Sequence, residues 1–440
     1  MKLCRRLTVA LFILACITTP AFAQNFYWNA SSPSSVALGG IYVPSSSDAQ
    51  DALATNPAGL TTLGTRTVDL TLTAVAPRGD FSNSVNYNAH LNGTPGALPY
   101  GAFGMPIRHS RFTSAVGFLP DLMSVADWHY VDAPGVAGAT YGLQEQHSAI
   151  IAGRAVTGLG IAVTPRLSLG VSLGVDYNTN TLIAPYVFQS QPTLAGLKTL
   201  LTLRTSGYGW NGSVGARIRA SHNVELGFAW KSSTVIMSHG GASGNAYAQF
   251  DALGLEGAPS TFEYQAQVSN VLPQSVLGSL SWRVDPQWML AFQTDWVNWG
   301  NAFVNLPVTL TNGTNPAING LVGSSTLIDG VPLNWKDQYS FHVGAERVLT
   351  ERASLRFGYA YGNNPVPSST LTPMTAAILS NQISAGLAYS LGNSRLEGAY
   401  VFDPTAREHV DQSGLLSGEY NNSTVRVGTQ SLTLGYSVHF

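Results

Sequence analysis

Between Leu167 and Tyr177 the chain alternates without a fault. Leu167, Leu169, Val171, Leu173, Val175 and Tyr177 occupy one parity, and Ser168, Gly170, Ser172, Gly174 and Asp176 the other. Successive side chains of a β-strand point to opposite faces, so this segment offers one apolar face and one polar face. Similar segments recur from Thr67 to the last residue, punctuated by turn residues such as Thr164-Pro165-Arg166, Asp285-Pro286 and Gly392-Asn393. A chain patterned this way can build only sheet, and its apolar faces need a common partner.

Charge decides what that partner is. Only 10% of the 440 residues are charged, against about 25% in an ordinary soluble protein. Much of the surface therefore faces something other than water. No uninterrupted apolar run reaches the roughly 18 residues that a helical span requires. A transmembrane β-barrel reconciles the two facts, because alternation hides a lipid-facing set inside an average composition.

The pattern yields fourteen strands, the first beginning near Thr67 and the last running from about Thr424 to Phe440. Short turns alternate with long connections, the layout of outer-membrane barrels with periplasmic turns and extracellular loops, and an even count returns both ends to the periplasm. Trp282 and Trp288 flank one short turn, while Trp230, Trp296, Trp299 and Tyr361 lie near the opposite strand ends, as two interfacial aromatic girdles require. The expected architecture is an all-β, 14-stranded antiparallel transmembrane barrel. Residues 1–23 read as a signal peptide, with basic Lys2, Arg5 and Arg6, an apolar core from Leu7 to Ile17, and Ala21-Phe22-Ala23 at the cleavage site. Both cysteines, Cys4 and Cys16, fall inside it, so the exported chain carries no disulfide, no thiolate metal site and no cysteine nucleophile. Losing three basic residues leaves the chain acidic, which argues against nucleic acid as a partner.

Residues 24–63 have no strand pattern. Gly39-Gly40 and the serines up to Ser47 permit tight turns, Asp48 to Leu53 suits one short helical turn, and Asn56-Pro57 stops it. We expect this segment to form a hatch inside the lumen of a barrel built from residues 64–440. Asn56, Pro57, Ala58 and Gly59 form its fixed turn: proline restricts the backbone and the Asn56 side chain can bond nearby main chain. Upstream, Phe26, Tyr27 and Trp28 make an aromatic cluster within reach of the lumen.

The chain resembles the FadL/TodX family of outer-membrane long-chain fatty-acid and hydrocarbon transporters. The resemblance is carried by Asn56-Pro57-Ala58, by Tyr208-Gly209-Trp210 with Leu226 to Ser232, by Leu272-Pro273-Gln274-Ser275-Val276, by Asp295-Trp296 with Trp299-Gly300, and by Trp335 to Gln338 with Leu355 to Tyr361. It implies a hatch-blocked barrel that captures apolar compounds among extracellular loops, passes them to a pocket beside the hatch and releases them sideways at a kink in the third strand. The loops Ile236 to Ser260 and Gly300 to Asp337 match no family motif.

Candidate binding residues follow from greasy side chains where loops should be polar. These are Leu122, Met123, Trp128 and Tyr130 in the expected loop after strand three, Ile183, Tyr186 and Phe188 after strand five, and Phe26 and Trp28 at the mature terminus. Arg154 is phased to the lumen, where it could meet a substrate carboxylate or a hatch acid such as Asp48 or Asp51. The expected lateral exit lies at Gly117 and Phe118, in a third strand ending at Pro120, because glycine packs nothing and proline cannot donate to a ladder. Outer-membrane lipid, lipopolysaccharide and the barrel assembly machinery, the last through carboxy-terminal Phe440, are the expected partners of a monomer located in the outer membrane of a Gram-negative-type bacterium. No metal or other cofactor is expected. The rival readings are a general diffusion porin and an outer-membrane lipase. For the lipase, no Gly-x-Ser-x-Gly occurs and no His spacing singles out a triad. The acids Glu145, Asp176, Glu225, Asp295, Glu346 and Glu397, one per strand, are expected to face the lumen without catalytic work.

Overall fold

The computed structural model describes residues 31–44, 46 and 48–440. Residues 1–23, read as a signal peptide, and Phe26, Tyr27 and Trp28 lie outside the described residues.

Fourteen strands form the wall: β1 Thr67–Ser82, β2 Gly96–Pro106, β3 Phe112–Val131, β4 Leu143–Ala162, β5 Leu167–Val187, β6 Lys198–Arg219, β7 Val224–Lys231 resuming as Thr234–Asn245, β8 Thr261–Leu272 resuming as Ser275–Arg283, β9 Trp288–Val297, β10 Gln338–Val348, β11 Ala353–Gly362, β12 Asn381–Leu391, β13 Ser394–Val410 and β14 Ser423–His439. Each pairs antiparallel with its neighbours. The circle closes where β1 meets β14, from Thr67 opposite His439 to Ser82 opposite Thr424. Closure pairs the first strand with the last, so the sheet has no free outer edge, which is what makes such a wall tolerable in lipid. The break in β8 falls at Pro273-Gln274, where proline removes a ladder donor, and beside it β7 breaks at Ser232-Ser233.

In the lower wall the alternation works as the sequence suggests. Leu169, Val171 and Leu173 are 43%, 51% and 65% exposed, while Ser168, Ser172 and Asp176 are buried inside. Tyr177, Tyr208, Trp210, Tyr339 and Tyr361 stand exposed on the outer face, where amphipathic rings suit the membrane interface. Trp299 departs from that expectation. It is buried, stacked on Phe303 at 5.0 Å between ring centroids, because the backbone turns inward there as a short helix, Trp299–Ala302. Glu145 departs too: it is exposed, on the parity opposite lumen-facing Arg154.

Toward the long loops the polarity of the alternation reverses. In β8, Phe262, Tyr264, Ala266 and Val268 point inward and are buried, while Glu263 and Gln265 point outward and are exposed. Apolar-in with polar-out is the pattern of a wall standing in water. The loops fold over this upper collar. Residues 300–337 are no plain loop; they build a ribbon of Asn305–Thr311 with Leu327–Pro332 and a helix, Pro316–Val322.

The lower lumen holds the amino-terminal segment as a plug of three short helices, Pro33–Ala37, Ala49–Ala54 and the 3-10 turn Pro57–Thr62. Asp48 caps the second by accepting from the amides of Gln50 and Asp51. The wall makes room by omitting side chains. A Cβ on Gly170 would run into the main chain of Pro57 and Ala58, one on Gly358 into Gly39, one on Gly386 into Ala37 and one on Gly435 into Pro33. Polar ties complete the fit. Ser384 Oγ donates to the Ala37 carbonyl at 2.9 Å, Gln293 accepts from the Tyr42 amide at 2.8 Å, and Asp69 accepts from the Ala49 amide at 2.8 Å.

Candidate functional site

Above the plug, the reversed alternation and the folded loops enclose a cavity with about 1610 Å³ of atom-free space, part of it open to solvent. Leu182 and Tyr186 reach it from β5, Leu201 and Leu203 from β6, Phe262 and Tyr264 from β8. Val308, Leu310, Ile318 and Leu327 close it from the long ribbon-forming connection, and Leu415 and Tyr420 from the β13–β14 loop. Such an apolar enclosure with a few polar groups is a ready small-molecule site.

Its acids are already engaged, while the Tyr264 hydroxyl is buried without a hydrogen-bond partner among the described residues. Asp329 accepts from Tyr186 Oη at 2.6 Å, Ser190 Oγ at 2.8 Å and the amides of Gln189 and Gln191 at 3.0 Å each, which fastens the β5–β6 loop to the ribbon. Lys198, fully buried at its side chain, donates to Asp132 at 2.7 Å and reaches Glu419 at 3.4 Å, joining two loops to the start of β6. Burial pushes the Glu419 carboxyl up to about 7, against the opposing pull of Lys198. Burial likewise raises the neighbouring Asp132 carboxyl. No lysine, arginine or histidine lines the cavity among the described residues.

Between β2 and β3 the wall has a window. The two strands pair from Pro106 opposite Thr113 up to Gly101 opposite Phe118, and the ladder stops there. Main-chain contact resumes at the Leu91–Trp128 bridge and the bond from the Asn92 amide to the Asp127 carbonyl, 2.8 Å. In between, β2 pairs only with β1, and β3 only with β4 through a bulge between Pro120 and Leu122. Residues 119–126 of β3 are buried on both faces, so this stretch leans into the lumen. Apolar side chains edge it: Met123 packs with Val75, Val125 and Ala149, with Leu98 and Ile151 against them.

The candidate residues distribute unevenly over this geometry. Tyr186 and Phe188 line the cavity, whereas Ile183 lines a separate, more open recess with Thr202 and Gly244. Leu122, Met123, Trp128 and Tyr130 are not loop residues, and the third strand does not end at Pro120. β3 tolerates Pro120 at its bulge and continues to Val131. Trp128 and Tyr130 are buried beside Phe81 and outside the cavity lining. Gly117 and Phe118 mark the lower sill of the window. Arg154, 1% exposed, faces the lumen but pairs with neither Asp48 nor Asp51. It donates to the carbonyls of Leu53 and Ala54, at 3.2 and 3.3 Å, where the second plug helix leaves acceptors unsatisfied. Asp51 is taken by Ser31, Ser32 and Ser35. Asn56 accepts from the Ala58 amide at 3.1 Å and donates to the carbonyls of Ala216 and Phe228, at 3.0 and 3.1 Å, binding the plug to β6 and β7.

Sequence reasoning missed Leu203, Phe262, Tyr264 and Leu310. The signal was present in Phe262 to Val268, whose apolar parity is the lumen-facing one, the inverse of the lower wall.

Comparison with known proteins agrees with this architecture. The family model described as outer membrane protein transport protein (OMPP1/FadL/TodX) matches residues 14–396. No curated protein sequence matches significantly. Among solved structures, the Pseudomonas putida toluene transporter TodX is similar at TM-score 0.73 and 19% identity, over 95% of this chain and 100% of that one. A Pseudomonas aeruginosa FadL homologue is similar at 0.72 and 15%, over 96% and 99%, and the Ralstonia pickettii toluene transporter TbuX at 0.70 and 18%, over 94% and 99%. At these identities the likeness concerns the fold.

Proposed function

Because the chain belongs to the outer membrane protein transport family (OMPP1/FadL/TodX), we propose that it takes hydrophobic compounds up through the outer membrane, binding them in the upper cavity and releasing them sideways through the β2–β3 window. The observation that carries this reading is the cavity's lining, apolar and free of any base among the described residues. Transfer of an apolar solute from water into such a lining is favourable by roughly 25 cal/mol per Å² of surface buried. An aqueous pore would offer no such gain, and the plug occupies the pore's path.

The window supports the second half of the route. A solute leaving between Leu98 and Met123 enters lipid without recrossing water, whereas passage straight down would have to displace the plug. Residues 31–63 act as the hatch, held by Asn56 and Arg154. Fatty-acid carboxylates fit the cavity less well than uncharged compounds, since no lysine, arginine or histidine lines it among the described residues, and Lys198, which sits behind Glu419, is already paired with Asp132 and Glu419. TodX and TbuX are described as toluene transporters, and an uncharged aromatic or aliphatic hydrocarbon is the substrate class we assign to this chain. The protein works as a transport channel and not as an enzyme. One chain completes the barrel, which suits a monomer, and we assign recognition by the assembly machinery to Phe440, 59% exposed after the last strand.

Calorimetric titration with toluene, an alkane and a fatty acid of matched carbon number tests the reading. Uncharged ligands should bind more tightly, and Leu203→Trp should weaken binding by narrowing the cavity. Equal binding of carboxylate and hydrocarbon would sink the assignment.

A further inference from the structure

The window has a visible cause in the chain and a second one across the lumen. Carrying the β2–β3 register past Gly101–Phe118 would set Tyr100 against Leu119 and Pro99 against Pro120. Two prolines facing each other supply no amide to either strand, so the ladder cannot continue there. Missing bonds explain a gap in pairing. They do not explain why β3 leans inward, burying residues 119–126 on both faces.

What holds it inward is the residue in the bulge. Asp121, 2% exposed, makes an ion pair with Lys231 of β7, a strand separated from β3 by β4, β5 and β6. The pair therefore spans the interior. Lys231 is the last residue before the β7 break, and Thr234, the first after it, donates to Asp176 at 3.1 Å. A defect in one strand is tied to a defect four strands further round the wall. Asp176 in turn accepts from Asn211, whose Oδ1 lies 3.5 Å from Arg154 Nη1, and Arg154 is bonded to the plug.

We propose that Asp121 and Lys231 are positioning residues for lateral release: their ion pair draws the β3 bulge across the lumen and so sets the width of the window. This rests on the reading of the window as the exit. A buried pair of this kind contributes little to stability compared with an apolar replacement, but it fixes geometry and is costly to break on one side only. Release of the pair lets β3 swing back toward β2 and narrows the opening.

Both cysteines of the chain, Cys4 and Cys16, fall within residues 1–23, read as the signal peptide, which makes a distance test clean. Leu98→Cys and Met123→Cys are placed on the two edges, and disulfide formation under fixed oxidant is timed in outer membranes. Lys231→Met leaves Asp121 buried without its partner and risks misfolding, so the isosteric double change Asp121→Asn with Lys231→Met is measured beside it, together with the swap Asp121→Lys with Lys231→Asp. Folding is checked by heat-modifiable migration on gels. Removal of the pair should speed the cross-link about tenfold and lower hydrocarbon uptake; the swap should restore both. Unchanged cross-linking in the folded double variant overturns the proposal while leaving lateral exit standing. If the closed 98–123 disulfide itself leaves uptake intact, the lateral-exit reading fails, and the cross-linking times still decide what the ion pair does.

Discussion

The guanidinium of Arg154 donates to the main-chain oxygen of Leu53 at 3.2 Å. An arginine on the wall thereby closes the carboxy-terminal end of a plug helix, a place where cations are favoured and carbonyls lack partners. Replacing it with methionine should remove charge-assisted bonds worth about 1.5–3 kcal/mol each. Arg154→Met should raise single-channel conductance and lower uptake of fatty acids and hydrocarbons equally. Selective loss of the fatty acid alone would assign Arg154 to the ligand instead.

Asn56 serves three main-chain groups at once, in its own turn and on β6 and β7. Asn56→Ala leaves those groups short of partners inside the lumen, at a cost of about 1–3 kcal/mol. Planar-bilayer recordings should show flickering small-ion leakage that the parent lacks. Ligand affinity in the upper cavity should change little, since Asn56 does not line it.

Gly358→Val tests the fit of the plug from the other side. A Cβ there meets the main chain of Leu38 and Gly39, which cannot move aside as the end of a flexible side chain can. Protease protection of residues 31–63 should fall, with the barrel itself still folded on a gel.

The loop cap should loosen with rising pH. Burial sets Glu419 at about 7 in the folded cap, above its ordinary 4.5. The folded cap therefore prefers the protonated acid, and that preference is fully present below about 4.5 and lost as pH rises through 7. Asp132, also raised by burial, acts in the same direction, and Lys198 opposes both. Amide exchange of residues 411–422, corrected for intrinsic rate, should be faster at pH 8 than at pH 5.5. Glu419→Gln should shrink the difference; an unchanged difference would remove Glu419 from the account.

The wall was legible in the sequence because lipid enforces one apolar parity, and Leu169, Val171 and Leu173 obey it. The interruption at Pro273 and the helical turn after Asp48 were legible for local reasons, a missing donor and a capping side chain. The cavity was harder to see. Above the membrane the same parity changes its meaning, so Trp128 and Tyr130 resemble exposed loop residues until the strand is known to continue past Pro120. Trp299 resembles a girdle tryptophan for want of any local sign that the chain turns inward. Pairings such as Asp121 with Lys231 or Arg154 with Leu53 join positions far apart in the chain, and no periodicity encodes them.

The glycines that face the plug bear on the order of events when the protein is made. Gly170, Gly358, Gly386 and Gly435 leave the wall bare at the level of Pro33, Ala37, Gly39 and Pro57, and the plug directly precedes β1, whose union with β14 is the seam of the cylinder. Gly435 lies on β14 itself, so the bare surface that receives Pro33 is complete only once the last strand has reached β1, and the seating of the first helix is tied to the closing of the sheet.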